Sequence, residues 1–341
     1  MRTVMGTLLS DLKNPDKKPL LAAPLAELSH LPLRLLIEEF GGCDWYFTEM
    51  ISAGALRAAS PYEDFYTAAG SLADRTVFQL AGSDPDAFEA AVGRLLEIPG
   101  AGIDINMGCS AFTAVQKGWG IEWMRDPRRA ADLIAHLRPL IKDRTLSVKM
   151  RIGWSADEGL FKEFAAALES AGVDFLTLNP QIKKESRGRS GDWKWVKLLK
   201  ETVSVPVIGN GNIIDSETFA FRAGLNGFPG FGADGFMIGR GGVARPWLFK
   251  RLSDLQNGAA AGFEVDLTAV FDRFTELLRL YQPPEFYPSR LSRFLFYFCG
   301  NFRFGHRLFS EVKKAGRNGN EMEAAVRGYL NRHPEERFSR I

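Results

Sequence analysis

Two neighbouring stretches of this sequence, VPVIGNGN (Val205–Asn212) and ADGFMIGRGG (Ala233–Gly242), decide the fold. Each is a short apolar run that ends in a glycine-rich turn, and a segment of helical period, Ser216–Ala223, lies between them. Apolar runs without alternation are typical of parallel strands buried on both faces, and parallel neighbours need a crossover connection. The pattern therefore predicts a strand–helix–strand unit of a parallel α/β fold.

The same unit recurs through the preceding sequence. Two of the intervening helices should start at Pro85 and Pro127, where Asp84 and Asp126 are the expected N-caps. Six further apolar runs have the composition of buried strands: Leu20–Ala23, Asp44–Thr48, Thr76–Leu80, Gly102–Asn106, Leu146–Met150 and Asp174–Leu178. Eight strands alternating with helices predict a TIM (β/α)₈ barrel. The alternative is an open doubly wound sheet, but the turn after the first strand lacks GxGxxG.

The chain has 341 residues, more than the roughly 250 that such a barrel needs. We expect the barrel to occupy residues 1–255 and a linker to occupy residues 256–266 (QNGAAAGFEVD). Residues 267–341 have helical periodicity and should form a small C-terminal all-helical domain. Its aromatic stretch SRFLFYFCGNF (Ser292–Phe302) is better explained as a bundle core than as a base-stacking surface.

Composition limits the classes of function. Cys43, Cys109 and Cys299 lie far apart without a CxxC pattern, so we expect neither a disulfide framework nor a metal site. No apolar run spans a membrane and no secretory h-region opens the sequence, so we expect a cytoplasmic protein. We also expect it to be a monomer. Residues 290–341 carry 11 basic against 5 acidic side chains, a distribution that suggests an anionic partner or an ordinary solvated surface.

Barrel enzymes carry their active sites on the loops that follow the strands. The glycine-rich loops after strands seven and eight could bring backbone N–H groups close to a phosphate, with Arg240 adding a charge, although tight loop geometry alone would also require glycine. Polar side chains and glycines follow most predicted strands, and an Ala-Pro-Leu segment ends the first. We take these residues as candidate cofactor contacts: Ala23, Pro24, Leu25, Gln79, Asn106, Lys149, Asn179, Gly209, Asn210, Gly211, Asn212, Gly239, Arg240 and Gly241.

Two of the residues at the strand ends have specific chemical implications. Lys149 follows buried Ser-Val, so its charge needs water or an anionic partner such as a reduced flavin. Cys109 lies in a Gly-Cys-Ser turn at the barrel mouth, where it could act as a general acid. Cys43 and Cys299 are better explained as small buried hydrophobic residues.

Successive segments of the chain, from about Leu20 to Phe249, resemble motifs of the tRNA-dihydrouridine synthase family, in order and at comparable spacing. They are LAAPLAELSHLPLR, YFTEMISA, VFQLAGSDP, DINMGCSAFTAVQKGWG, VKMRIGW, VPVIGNGNI and ADGFMIGRGGVARPWLF. The resemblance implies that NADPH reduces bound FMN, that hydride passes from flavin N5 to uracil C6, and that Cys109 protonates C5. It also implies that Gln79, Asn106 and Lys149 contact flavin and substrate, that the two glycine loops hold the FMN phosphate, and that the C-terminal helices bind RNA.

Basic side chains should then hold the RNA, and the candidates are Lys183, Lys184, Arg187, Arg189, Arg290 and Arg293. The chain departs from the family pattern at Ser110, which stands where the family has Pro, and at Asn179 and Gln181, where it has His and Arg. Two alternatives therefore stay open beside tRNA reduction. One is an FMN-dependent reductase of a small molecule, and the other is a non-catalytic RNA-binding descendant of an enzyme.

Overall fold

The computed structural model describes residues 4–14, 16–183, 191–259 and 262–340. Eight parallel strands form a closed barrel in sequence order, and the pairing of the first strand with the eighth leaves no free edge. The predicted (β/α)₈ barrel is confirmed, and the open-sheet alternative is wrong. The strands are β1 (Leu20–Ala22), β2 (Trp45–Ser52), β3 (Thr76–Ala81), β4 (Gly102–Met107), β5 (Thr145–Gly153), β6 (Phe175–Ile182), β7 (Val207–Asn210) and β8 (Gly235–Ile238).

The helices occupy the crossovers, as the sequence predicts, and Asp84 and Asp126 accept backbone hydrogen bonds as N-caps. Those before and around the barrel are α1 (Val4–Leu12), α2 (Leu31–Glu39), α3 (Ala53–Arg57), α4 (Glu63–Thr67), α5 (Pro85–Leu96), α6 (Phe112–Gln116), α7 (Pro127–Leu137), α8 (Glu158–Ser170), α9 (Lys194–Thr202), α10 (Ser216–Ala223), α11 (Arg240–Ala244) and α12 (Leu248–Gln256). The C-terminal helices are α13 (Leu267–Tyr281), α14 (Tyr287–Phe298), α15 (Gly305–Lys314) and α16 (Gly319–Arg332).

An apolar cluster fills the barrel interior at the end where the strands begin. It combines inward-facing side chains of several strands with Leu8 and Leu12 of α1, a helix that the sequence analysis did not predict. The Trp45 indole N–H donates to Asp11 of the same helix at 2.9 Å. Because α1 and this cluster close the N-terminal end, polar chemistry is confined to the opposite mouth of the barrel.

The C-terminal region is helical as predicted, with one addition. Residues 338–340 form a short strand, β10, antiparallel to β9 (Glu264–Asp266), so part of the predicted linker is a strand and the region is not wholly helical. Phe294, Phe298 and Cys299 are buried in a hydrophobic cluster shared with the outer helices of the barrel. Most of the aromatic stretch is therefore core, as expected, although Phe296 is exposed. Within the described ranges, no helix is long and apolar enough to cross a bilayer.

Candidate active site

A chain of buried polar side chains crosses the barrel interior beneath the mouth. The Asn106 amide donates to Gln79 Oε1 at 2.9 Å, and Gln79 Nε2 donates to Asp104 Oδ2 at 2.7 Å. The Ser147 hydroxyl donates to the other Asp104 oxygen at 2.7 Å. The chain thus connects β3, β4 and β5 and fixes the side chains of two predicted site residues, Gln79 and Asn106.

Asp104 and Ser147 are site residues that the sequence analysis missed. Asp104 is fully buried, and burial raises the pKa of its carboxyl to about 7, although hydrogen bonds from Gln79 and Ser147 and the charge of Lys149 act in the opposite direction. The sequence pattern that could have identified them is the alternation of polar residues along a strand. Asp104 and Asn106 lie two residues apart on β4, as Ser147 and Lys149 do on β5. Side chains spaced by two point to the same face of a strand.

The Cys109 loop is held by backbone contacts on several sides. Asn106 Oδ1 accepts hydrogen bonds from the backbone N–H groups of Gly108 and Cys109, at 3.2 and 2.9 Å. The Cys109 carbonyl accepts from the Ile121 N–H at 3.0 Å, and Arg151 Nε donates to the Gly108 carbonyl at 2.9 Å. These contacts set the position of the Cys109 backbone at the barrel mouth.

The three cysteines differ in environment as the sequence predicts. Cys109 is half-buried, whereas Cys43 and Cys299 are buried. Burial raises the pKa of Cys299 to about 12 and that of Cys43 further still. Cys43 and Cys299 are therefore poor acids at neutral pH, and Cys109 is the thiol with access to a bound molecule.

Lys149 lies beside this loop, and its ammonium group has no direct ion-pair partner among the described residues. It is half-buried, and no described carboxylate or carbonyl accepts a hydrogen bond from its Nζ. Burial lowers the pKa of Lys149 to about 8, and Arg151 acts in the same direction, while Asp104 and Cys109 oppose the shift. A cation in this state favours an anionic ligand, because such a ligand would replace the water that burial removes.

The loops after β1 and β8 meet at the mouth. A Cβ atom added at Gly239 would lie 3.6 Å from Ala23 Cβ and 3.7 Å from Leu25 Cδ2, and the Ala23 N–H donates to the Ile238 carbonyl at 2.9 Å. Pro24, between them, is half-buried. These predicted cofactor residues therefore form one continuous wall.

The loop after β7 continues that wall on the other side. Gly211 and Asn212 adopt positive φ angles of 130° and 53°, and Asn212 Oδ1 accepts from Arg240 at 3.3 Å. A Cβ atom at Gly211 would lie 3.2 Å from Asn179 Oδ1, which places Asn179 beside this turn. Asn210 donates to the Met237 carbonyl at 2.8 Å and joins β7 to β8.

Two of the predicted glycines have a packing role. A Cβ atom at Gly209 would lie 2.6 Å from Cη2 of Trp193, and one at Gly241 would lie 2.6 Å from the Ile213 carbonyl. Both contacts are too close for any side chain, so close packing alone requires glycine at these positions. The alternative of tight loop geometry therefore accounts for Gly209 and Gly241, whereas the backbone conformation at Gly211 requires glycine within the mouth itself.

Gln181, which stands where the family has Arg, contacts a charged side chain of the neighbouring strand. Gln181 is buried on β6, and its Oε1 accepts from Arg151 at 3.3 Å. The guanidinium of Arg151 therefore supplies a fixed positive charge between the Cys109 loop and β6. The sequence analysis missed this role because Arg151 lies on the neighbouring strand.

The basic residues predicted to bind RNA are distributed differently from the expectation. The prediction that Arg290 binds RNA is wrong. Its side chain is 3% exposed and pairs with buried Glu49 at 2.8 Å, so RNA cannot reach it. Arg293 is exposed and pairs with Glu27 at 3.1 Å. Lys183 lies 5.2 Å from the Trp154 ring, at the mouth. Lys184, Arg187 and Arg189 lie outside the described residues.

Comparison with known proteins identifies the family. The model of the dihydrouridine synthase (Dus) family matches residues 20–281, which include the barrel strands, the Cys109 loop and α13. The chain belongs to the dihydrouridine synthase family. Probable tRNA-dihydrouridine synthases are among its relatives: one from Rhodobacter capsulatus is 32% identical over 71% of this chain and 73% of its own length. One from Helicobacter pylori is 30% identical over 80% of each chain.

Proposed function

We propose that this dihydrouridine synthase family member reduces uridine to 5,6-dihydrouridine in tRNA, with FMN as cofactor and NADPH as electron donor. The family match across residues 20–281, which places Cys109 in the matched region, is the observation that carries the proposal. The names of the relatives from Rhodobacter capsulatus and Helicobacter pylori support tRNA as the substrate. We expect the protein to act as a cytoplasmic monomer.

The residues at the barrel mouth fit an FMN molecule. Lys149 presents a cation inside the mouth, where the negative N1–C2=O edge of a reduced flavin would offset the cost of its burial. The positive-φ turn at Gly211 and Asn212, with Arg240 beside it, leaves backbone and guanidinium groups for the phosphate. When bound, FMN would supply the hydride that is added to C6 of uracil.

The second half of the reduction requires a proton at C5, and Cys109 is the group that we assign to it. Its thiol S–H bond breaks as the new C5–H bond forms, and the thiolate is then reprotonated from solvent. Asn106 orients the Cys109 backbone through two N–H hydrogen bonds. Arg151, which donates to the Gly108 carbonyl, would stabilise the thiolate that remains.

A basic face on the helical region supports RNA as the substrate. We define it as Arg303, Arg307, Lys313, Lys314 and Arg317, on and beside α15. All five side chains are exposed, and none forms an ion pair with a carboxylate in the described part of the chain. Arg307 and Lys314, seven residues apart on α15, lie on the same side of the helix, while Arg303 precedes the helix and Arg317 follows it. Glu311 on that side is itself paired with Arg332 at 3.4 Å.

The direct test is product formation by the purified protein. An unmodified tRNA transcript incubated with the protein, FMN and NADPH should gain dihydrouridine, detected as a mass increase of two hydrogens in the digested nucleosides. A protein that oxidises NADPH with an unsaturated small molecule but leaves tRNA unchanged would be a small-molecule reductase. A protein that binds tRNA without oxidising NADPH would be a non-catalytic descendant.

A further inference from the structure

Phe112 is an exposed aromatic side chain beside the proposed proton donor. It lies three residues after Cys109, at the first position of α6, and 72% of its surface is exposed. A single exposed hydrophobic side chain is common on protein surfaces and needs no explanation by itself. Phe112 differs because further aromatic and cationic side chains are attached to the same loop.

Trp119 is connected both to α6 and to Cys109. Its backbone N–H donates to the Ala114 carbonyl of α6 at 2.9 Å. The next residue, Gly120, has a φ of 61°, and a Cβ atom there would lie 2.8 Å from Cys109 Cβ. Only glycine permits this close approach, so the residue directly after Trp119 packs against the loop of Cys109. The Trp119 side chain itself is half-buried.

Trp154 joins the same segment and arranges cations around it. Its indole N–H donates to the Ile121 carbonyl at 3.2 Å, and its ring lies 3.6 Å from the Arg125 guanidinium and 5.2 Å from Lys183 Nζ. We define Phe112, Trp119 and Trp154 as the aromatic rim. Arg125 lies over the Trp154 ring and Lys117 lies over the Trp119 ring, so Phe112, of which 72% is exposed, offers the most surface to a ligand, with the half-buried Trp119 ring beside its cation as the second contact.

The charge around the aromatic rim is positive. Lys117 Nζ lies 4.9 Å from the Trp119 ring, and neither Lys117 nor Lys183 forms an ion pair with a described carboxylate. Arg125 is neutralised in part by Glu122 at 2.8 Å. Flat apolar surfaces next to unpaired cations are complementary to unstacked nucleobases joined by phosphates, and they are poorly matched to an apolar protein surface.

We propose that Phe112 and Trp119 stack on the nucleobases that flank the target uridine, while Lys117 and Lys183 contact the adjoining phosphates. The proposal rests on the proposed function, because a uridine can reach Cys109 only after it leaves its stack. Its departure exposes the faces of its neighbours, and the aromatic rim covers those faces. Phe112 and Trp119 are then substrate-positioning residues of the barrel, separate from the basic face of α15.

Binding of a single-stranded oligouridylate, measured by quenching of the tryptophan fluorescence over a range of salt concentrations, tests the proposal. Stacking is worth a change of roughly 5- to 150-fold in affinity per base. Phe112→Ala should therefore weaken binding by about that factor, Phe112→Leu should recover little of it, and Phe112→Trp should restore it. Lys117→Ala should instead reduce the dependence of log affinity on log salt by about 0.7.

Leu140→Ala is the matched control, since Leu140 is 38% exposed in the loop that leads into β5, at the opposite end of the barrel. Unchanged thermal unfolding midpoints would show that each variant is folded. Phe112→Ala binding as tightly as wild type would overturn the proposal, even if wild type makes dihydrouridine. Affinity that depends on Phe112 in a protein that makes no dihydrouridine would support the stacking surface and refute the proposed function. A wild-type protein that binds no RNA would refute both.

Discussion

Arg290 and Glu49, 241 residues apart in sequence, form an ion pair of 2.8 Å in which each side chain is 3% exposed. Glu49 lies within β2 near the barrel mouth, and Arg290 lies on α14 of the helical region. Glu49 also accepts a hydrogen bond from the backbone N–H of Glu27, which lies in the segment that follows Pro24 and Leu25. The helical region is therefore coupled by one buried pair to the loop that forms part of the proposed cofactor site.

Arg290→Met should destabilise the protein by about 3–5 kcal/mol, because it leaves the Glu49 carboxylate buried without its partner. Burial already raises the pKa of Glu49, and Arg290 opposes that shift, so the variant should also take up a proton at Glu49. Urea unfolding at pH 7 measures the loss. Arg293→Met is the control, since the exposed Arg293–Glu27 pair is worth at most about 1 kcal/mol.

The double variant Glu49→Leu/Arg290→Met should recover most of the loss from Arg290→Met, because apolar side chains can replace a buried ion pair at little net cost. FMN binding in the double variant should nevertheless be weaker than in wild type, since the Glu27 N–H loses its acceptor. Equal destabilisation by Arg290→Met and Arg293→Met would show that the buried pair does not hold the two regions together.

Asp104→Asn should change how stability depends on pH. The native state keeps the Asp104 proton up to about pH 7, whereas the unfolded chain loses it near the ordinary value of 3.8. This raised pKa stabilises the fold at low pH, and the contribution is lost as pH rises through the folded pKa, by up to about 1.4 kcal/mol per pH unit. Unfolding free energies at several pH values between 4 and 8 measure the effect.

In that window, wild type should lose stability relative to Asp104→Asn as pH rises, and the difference should level off above about pH 7. Asn keeps the shape of Asp, and its amide oxygen can still accept a hydrogen bond from Gln79. The Ser147 hydroxyl can rotate to accept a hydrogen bond from the new amide N–H. Ser147→Ala removes a hydrogen bond that lowers the pKa of Asp104, so in this variant the loss of stability should continue to a higher pH than in wild type. Parallel pH profiles for wild type and Asp104→Asn would contradict the raised pKa.

The sequence predicted those features that depend on local pattern. The eight barrel strands were visible as apolar runs, and the N-caps Asp84 and Asp126 followed from short-range hydrogen bonding. Cys109 could be placed at the mouth because a strand end precedes it. The polar interior residues Asp104 and Ser147 were detectable by their alternation with buried apolar side chains.

Features set by distant contacts could not be predicted in this way. Arg290 reads as a surface cation in its own helix, and its burial depends on Glu49, which is 241 residues away. The short pairing of β9 with β10 joins residues that are also far apart in sequence. Gly209 carries a glycine because Trp193 packs against it, and no local pattern distinguishes that requirement from a phosphate-binding loop.

Lys149 should make flavin reduction sensitive to pH above about 8, where its ammonium group loses its proton. A neutral amine no longer stabilises the negative edge of reduced flavin, so the rate at which NADPH reduces bound FMN should fall there. An anionic ligand would raise the pKa of Lys149, which places the midpoint at or above about 8. Stopped-flow flavin absorbance measures the rate.

Lys149→Gln should give slow reduction that does not vary over this range, and Lys149→Arg should keep the rate to higher pH, because a guanidinium stays charged. Each variant should first be checked for bound FMN. Rapid, pH-independent reduction in Lys149→Gln would exclude Lys149 from the flavin site.

The basic face should dominate tRNA affinity through its charge. Arg307→Glu/Lys314→Glu should weaken tRNA binding at low salt and reduce the slope of log affinity against log salt, by about 0.7–0.9 for each lost phosphate contact. Filter binding at several salt concentrations measures both. The matched control is Arg94→Glu/Lys142→Glu, an equal change of charge at exposed positions near the closed end of the barrel. Equal losses in the two double variants would indicate a general charge effect and no defined RNA surface.

The most direct test of the account is dihydrouridine formation by Cys109→Ala with unmodified tRNA, FMN and NADPH, measured by mass spectrometry of the nucleosides. If Cys109 donates the proton to C5, product should fall by about 10²–10⁴-fold, the usual contribution of a positioned acid. The flavin spectrum, its reduction by NADPH and tRNA binding should stay close to those of wild type, and Cys299→Ala should retain activity if it folds. Product formation by Cys109→Ala at the wild-type rate would contradict the assignment of Cys109 and, with it, the proposed mechanism.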